Sequence, residues 1–176
     1  MSDEPSQVVL SLGSNLGNSA EILTAALGEL AKLAGLQPIA VSSLYATTPI
    51  SEIVQPDFLN LVMLAKAKLS AEELLTKCLA IESDFGRYRD PDLPHGPRTL
   101  DIDLIQYGEL TSETDFLQLP HPRAKERAFV LVPWAEIDPD AELAGVKISH
   151  LISGLSLNGV SKIANSQEKM RKAIYL

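Results

Sequence analysis

Asp101 and Asp103 lie one residue apart in the stretch Gly96-Pro-Arg-Thr-Leu-Asp-Ile-Asp-Leu104. Gly96 and Pro97 punctuate a loop, and the apolar and β-branched run from Thr99 to Tyr107 predicts a strand. Side chains alternate along a strand, so the two carboxylates share one face, about 6–7 Å apart along the backbone. Leu100, Ile102 and Leu104 take the other face. Like charges this close repel, and an apolar neighbourhood makes the repulsion worse. A divalent cation relieves it, and a pair of hard oxygen ligands suits Mg²⁺, which completes its shell with water and substrate phosphates. Arg98 precedes the strand and offers a planar fork for phosphate oxygens. The competing reading is a polar strand face with two solvated aspartates.

The chain that must position this pair has 176 residues, of which 45% are hydrophobic, enough for one domain with a proper core. The net charge of −8 argues against a nucleic-acid surface. No apolar run approaches the roughly 20 residues of a membrane span, and the polar, acidic Met1–Gln7 is no secretory signal. The lone Cys78 falls on the apolar stripe of a predicted helix and fits a reducing compartment, so the expectation is a cytoplasmic monomer. Arginines 87, 89, 98, 123 and 127 crowd into one stretch, leaving only Arg171 outside it. Such crowding in an acidic chain points to a bound anion, with surface ion pairing as the alternative.

Val8–Leu12 predicts a buried strand ending in the turn Gly13-Ser-Asn-Leu-Gly-Asn18, followed by a helix capped by Asn18 with Ile22, Leu23, Ala26, Leu27, Leu30 and Leu33 on one face. The turn could bring N–H groups to a phosphate, but it matches neither dinucleotide nor Walker patterns, and the favoured reading is a plain strand-to-helix turn. Ile39–Tyr45 predicts a second strand, 47–57 a loop, and Phe58–Leu69 a third strand. Phe58 and Asn60 share a face there. They suit a flat heterocycle and its polar edge, or equally an aromatic in the core beside an asparagine at a strand end. Ser70 and Glu73 form a capping box for a helix striped by Leu74, Leu75, Cys78, Leu79 and Ile81. Residues 85–97 then read as a long loop, often a functional lid. Val130–Ile137 predicts a short helix, and residues 141–176 a weakly helical appendage without chemistry to a motif-bearing core at 7–140. The order strand-helix-strand-strand-helix-strand gives an α+β class: a ferredoxin-like βαββαβ core with a mostly antiparallel sheet and helices packed on it in three α-β-α layers.

Leu12-Gly-Ser-Asn-Leu-Gly17, Gln55-Pro-Asp-Phe-Leu-Asn60, Gly86-Arg-Tyr-Arg89, Gly96-Pro-Arg-Thr-Leu-Asp-Ile-Asp103 and Leu119-Pro-His121, in this order, resemble the folate-pathway family 6-hydroxymethyl-7,8-dihydropterin pyrophosphokinase. The resemblance implies an ATP-dependent diphosphotransferase that passes pyrophosphate from ATP to the hydroxymethyl group of a reduced pterin and releases AMP. It implies two Mg²⁺ ions on Asp101 and Asp103, with Arg87 and Arg98 also in the catalytic set. It implies ATP contacts from Arg87, Arg98, Leu104, His121 and Arg127, and from Glu82. The pterin would be held by Phe58 and Phe129 on its faces and by Asn60, Thr47, Thr48 and Ile50 at its polar edge. The small molecules would be the only partners, with no nucleic acid and no membrane. His95 departs from the family, which often has tryptophan there, and the loop from 86 to 96 is more acidic and proline-rich than the family's.

Two other classes fit parts of the pattern. A nucleotidyltransferase also joins a Gly-Ser turn to an Asp-x-Asp strand, but it keeps the two close, whereas 87 residues (101 − 14) separate Ser14 from Asp101. A non-catalytic ferredoxin-like module has no use for the aspartate pair or the arginine cluster.

Overall fold

A computed structural model of the protein describes residues 4–175. Its elements are β1 (Ser6–Ser14), α1 (Ser19–Ala31), β2 (Leu36–Val41), β3 (Tyr45–Thr47), β4 (Phe58–Ala67), α2 (Ala71–Asp84) and β5 (Asp101–Tyr107). The short β6 (Ser112–Glu113) and β7 (Gln118–Leu119) follow, then a 3₁₀ turn at Ala124–Glu126 and α3 (Ala128–Ile137). The chain continues through β8 (Glu142–Leu143), β9 (Val146–Lys147), α4 (Ile148–Ser153), β10 (Val160–Lys162) and α5 (Ser166–Ile174).

The main sheet runs β10-β3-β4-β1-β5, with β2 also on β4, and every pairing is antiparallel. Period-two alternation sorts its two faces. Val8, Leu10 and Leu12 of β1, Leu61, Met63 and Ala65 of β4, and Ile102 and Leu104 of β5 pack under α1, α2 and α5. Val9, Val62, Leu64 and Ile105 face α3 and α4, around the fully buried Trp134. This is the expected α+β, ferredoxin-like arrangement in three layers.

The caps act as the sequence foretells: the Asn18 side chain accepts from Glu21 N–H, and Ser70 and Glu73 close a reciprocal box. The expected second strand, Ile39–Tyr45, is instead two strands, β2 starting earlier at Leu36 and β3 running from Tyr45 to Thr47. Between them the Ser42 hydroxyl takes the N–H of Val62, which interrupts the ladder.

The expectation of an appendage after residue 140 is corrected. β10 extends the sheet beside β3, and Met170, Ala173 and Ile174 of α5 are buried in the core against α1. Polar residues dominate both segments, so their few inward-facing positions leave only a weak periodic signal.

Candidate active site

β5 is an edge strand, and its register places Asp103 beside Ser11 and Asp101 beside Gly13 of β1. Gly13 in turn faces Asn60 of β4, and Asn60 faces Tyr45 of β3. A single row thus crosses the sheet with a missing side chain at its centre. The omission is required, because a Cβ on Gly13 would stand 2.5 Å from Asn60 Oδ1. The glycine therefore gives room for the carboxamide and an open floor to the cleft above it.

That cleft, of about 210 Å³, is lined by Thr47, Thr48, Ile50, Phe58, Asn60 and Phe129 on one side and by Arg98, Asp101, Asp103 and Arg127 on the other. All six residues assigned to a flat heterocycle from the sequence meet here. Asn60 is 5% exposed and donates to Thr47 Oγ1 at 2.6 Å, which orients its amide. A guanidinium covers one face of each aromatic ring: Arg98 lies 4.8 Å from the Phe58 centroid and Arg127 5.5 Å from that of Phe129.

A second cleft opens on the far side of Asp103. Leu75, Leu79, Leu104, Phe116, Arg89 and His121 line it, and Asp103 belongs to both walls. Leu75 and Leu79 are only half-buried, so the outer part of the α2 stripe borders this cleft while Leu74, Cys78 and Ile81 fill the core.

The carboxylates hold the cations in place. Asp101 meets Arg87 at 3.5 Å and Arg98 at 3.3 Å, while Asp103 meets Arg127 at 3.2 Å and His121 Nε2 at 3.9 Å. Arg87 Nε is buried without a hydrogen-bond partner, and Arg98 Nε makes only the 3.3 Å ion-pair contact to Asp101. Burial and the neighbouring Asp101 charge push the Asp103 pKa up to about 6, against the pull of Arg127 and Arg98. Burial and the Arg127 charge lower His121 to about 4. It is thus neutral at pH 7, and its Nδ1 accepts the Arg123 N–H at 3.2 Å, which leaves the proton on Nε2 toward Asp103.

Glu82 and Arg87 line neither cleft. The Glu82 carboxylate lies 2% exposed behind the edge strand, accepts the Ile102 N–H at 2.7 Å and pairs with Arg89 at 3.0 Å. Burial raises its pKa to about 7, with Asp101 adding to the rise and Ile102 N–H and Arg89 opposing it.

Several lining residues escape the sequence reading. Ser11 breaks an apolar run, and that break is a usable signal. Gln55, which lines the first cleft, and Asn15, which does not, lie in the quoted motifs, but their link to each other shows only in space. The Asn15 side chain accepts from Arg98 N and donates to Gln55 Oε1, and Gln55 Nε2 donates to the His95 carbonyl at 3.0 Å. The glycine-bearing turn thus ties two loops together, as a structural turn. His95 borders the first cleft with its backbone at a left-handed φ of 64°.

The description 7,8-dihydro-6-hydroxymethylpterin-pyrophosphokinase belongs to the family model that matches residues 9–139. The chain belongs to this family. It is 38% identical over 154 residues to the 2-amino-4-hydroxy-6-hydroxymethyldihydropteridine pyrophosphokinase of Methylorubrum extorquens, covering 88% of this chain and 96% of that one. To the protein of the same name from Synechocystis it is 41% identical over 162 residues, covering 91% of this chain and 82% of the other. In fold it is similar to a Plasmodium falciparum HPPK-DHPS crystallised with pterin and p-hydroxybenzoate, with a TM-score of 0.64 at 15% identity over 87% of this chain. It spans 44% of that longer chain, and the likeness concerns the fold alone.

Proposed function

We propose that this protein transfers the pyrophosphoryl group of ATP to the hydroxymethyl oxygen of 6-hydroxymethyl-7,8-dihydropterin, giving the pterin diphosphate and AMP. The observation that carries this reading is Asp103, a carboxylate in the wall common to two clefts, one with aromatic and carboxamide groups, the other apolar and cationic. In this reading the pterin occupies the first, with Phe58 and Phe129 against its faces and Asn60, Thr47, Thr48 and Ile50 at its edge. The nucleotide occupies the second, beside Leu104 and His121, and its phosphates extend toward Arg87, Arg98 and Arg127.

The reaction forms a bond from the hydroxymethyl oxygen to the β-phosphorus, breaks the bridge between that phosphorus and the AMP oxygen, and releases the hydroxyl proton. Little covalent help is needed, so positioning and charge complementarity dominate. Arg98 and Arg127 supply charge-assisted donors for the phosphate oxygens. Neutral His121 donates through Nε2. Glu82 acts on the nucleotide side through its hold on Arg89.

Among the described residues no group of three or more His, Cys, Asp or Glu forms a metal cage. The Asp101–Asp103 pair still fits Mg²⁺, which takes one or two carboxylates and fills its shell with water and phosphate. These two residues would hold two such ions with the triphosphate, and the ions would supply charge neutralisation. We place the reaction in the cytoplasm, where Cys78 stays reduced, and assign it to a monomer. No described helix is long and apolar enough to cross a membrane.

Incubation with ATP, Mg²⁺ and the hydroxymethyl pterin tests the reading. AMP and the pterin diphosphate are the expected products. Pyrophosphate in place of AMP would mark a nucleotidyltransferase, and no nucleotide product at all would mark a binding module.

A further inference from the structure

The Thr47–Ile50 wall of the first cleft has little support of its own. β3 is three residues long, and past Thr47 the chain leaves the sheet. β4 holds one edge of β3, through its pairing and the Asn60–Thr47 hydrogen bond; what holds the other edge comes from more than a hundred residues later. Val160, Ser161 and Lys162 of β10 pair with Thr47, Ala46 and Tyr45, and the Thr48 N–H donates to the Gly159 carbonyl at 2.9 Å. Gly159 has a φ of 78°, and a Cβ there would stand 2.7 Å from Thr48 Oγ1 and 3.0 Å from Thr48 Cβ. The bare glycine therefore sets how far back Thr48 can sit.

Glu136 of α3 anchors the same edge from the layer below. Its carboxylate accepts from Ser43 N–H at 3.2 Å, the Ser43 hydroxyl at 2.7 Å and the Tyr45 hydroxyl at 2.8 Å, and it pairs with Lys162 Nζ at 3.1 Å. One carboxylate thus joins α3, the β2–β3 link, β3 and β10. Glu136, Gly159 and Lys162 do not line either cleft.

We propose that Gly159, Lys162 and Glu136 are positioning residues that set the protein's affinity for the pterin by fixing the Thr47–Ile50 wall, an inference that rests on the pyrophosphokinase reading. Their action is confined to one substrate, because β10 and its turn lie on the opposite edge of the sheet from β5 and the second cleft.

Gly159→Ala tests this by forcing Thr48 outward. The KM for the hydroxymethyl pterin should rise about ten-fold, the scale of one misplaced hydrogen bond, while kcat and the KM for ATP stay within about two-fold. Gly159→Asn separates the clash from backbone strain: asparagine tolerates a left-handed φ yet carries the same Cβ, so it should show the same rise. Lys162→Met, at an exposed position, removes the Glu136 ion pair and should move pterin KM the same way by less. Calorimetry of the pterin with a non-hydrolysable ATP analogue present should reproduce the order. Pterin constants unchanged in all three variants would overturn the inference and leave the activity standing. Pterin and ATP constants rising together with a fall in thermal midpoint would reduce these residues to structural support. Wild-type protein that releases no AMP would bring down the underlying reading, and this inference with it.

Discussion

Asp101 and Asp103 can be recognised in the sequence because alternation on a strand is local: two residues decide it, and no distant contact is needed. We predict that Asp101→Ala and Asp103→Ala each lower turnover by on the order of 10²–10³-fold, the scale of removing one charge-stabilising group from a preorganised site. AMP release with saturating Mg²⁺ checks this, and near wild-type turnover in either variant would remove that carboxylate from the site. By sequence Asn60 suits a strand end beside the core and a ligand contact equally. Its hydrogen bond to Thr47 and its place in the cleft favour the ligand. Asn60→Ala should weaken pterin binding by about 1–3 kcal/mol, since buried polar groups lose their partner. The affinity for an ATP analogue should hold constant in the same titrations, and a reversed pattern would assign the strand to the nucleotide. Glu82 shows where residue-level reading ends. Its helical stripe position gave no sign that its carboxylate would cross to the Ile102 N–H of an edge strand.

Among the elements, the 85–97 loop has few apolar anchors, and its contacts are to other parts of the site: Arg89 to Glu82, and the His95 carbonyl to Gln55. Both contacts can be exchanged for phosphate and substrate partners. We predict that its amides exchange rapidly in the free protein and gain protection only with pterin and nucleotide analogue together. Equal, strong protection in both states would make it a fixed segment. Shortening it between Tyr88 and Leu93 should slow turnover severely and leave analogue binding within a few-fold, since the loop acts on the transition state. His95→Trp bears on the same closure. A bulky residue at a φ of 64° is strained, so this change should not speed turnover or add loop protection. That strain was not legible in the sequence, because the residue type alone does not set φ. Residue types alone do not divide β2 from β3 for a similar reason: the Ser42 hydroxyl that separates them acts on Val62, twenty residues away.

Over the whole molecule, Glu136 links more elements than any group in the site, and its titration offers a measurement of that linkage. Burial pushes its pKa up, but hydrogen bonds from Ser43, Tyr45 and Lys162 outweigh this and hold it below its ordinary 4.5. A depressed carboxylate stabilises the fold above its ordinary value and loses that contribution as pH falls through the native one. Glu136→Gln should therefore be less stable than wild type by about 1–3 kcal/mol at pH 7, with the gap narrowing below pH 4.5. Urea unfolding of both proteins at pH 7 and near pH 3 reads this, and a gap that widens in acid would refute it. The pairing of β3 with β10 also has a consequence for the protein's synthesis. Val160 follows Thr47 by 113 positions (160 − 47), so at about 5–20 residues per second the ribosome needs roughly 6–23 s to deliver the partner strand. During that interval the Tyr45–Thr47 ladder is an unpaired edge, open to other nascent chains, and a chaperone that shields this stretch would do so before any other part of the molecule could.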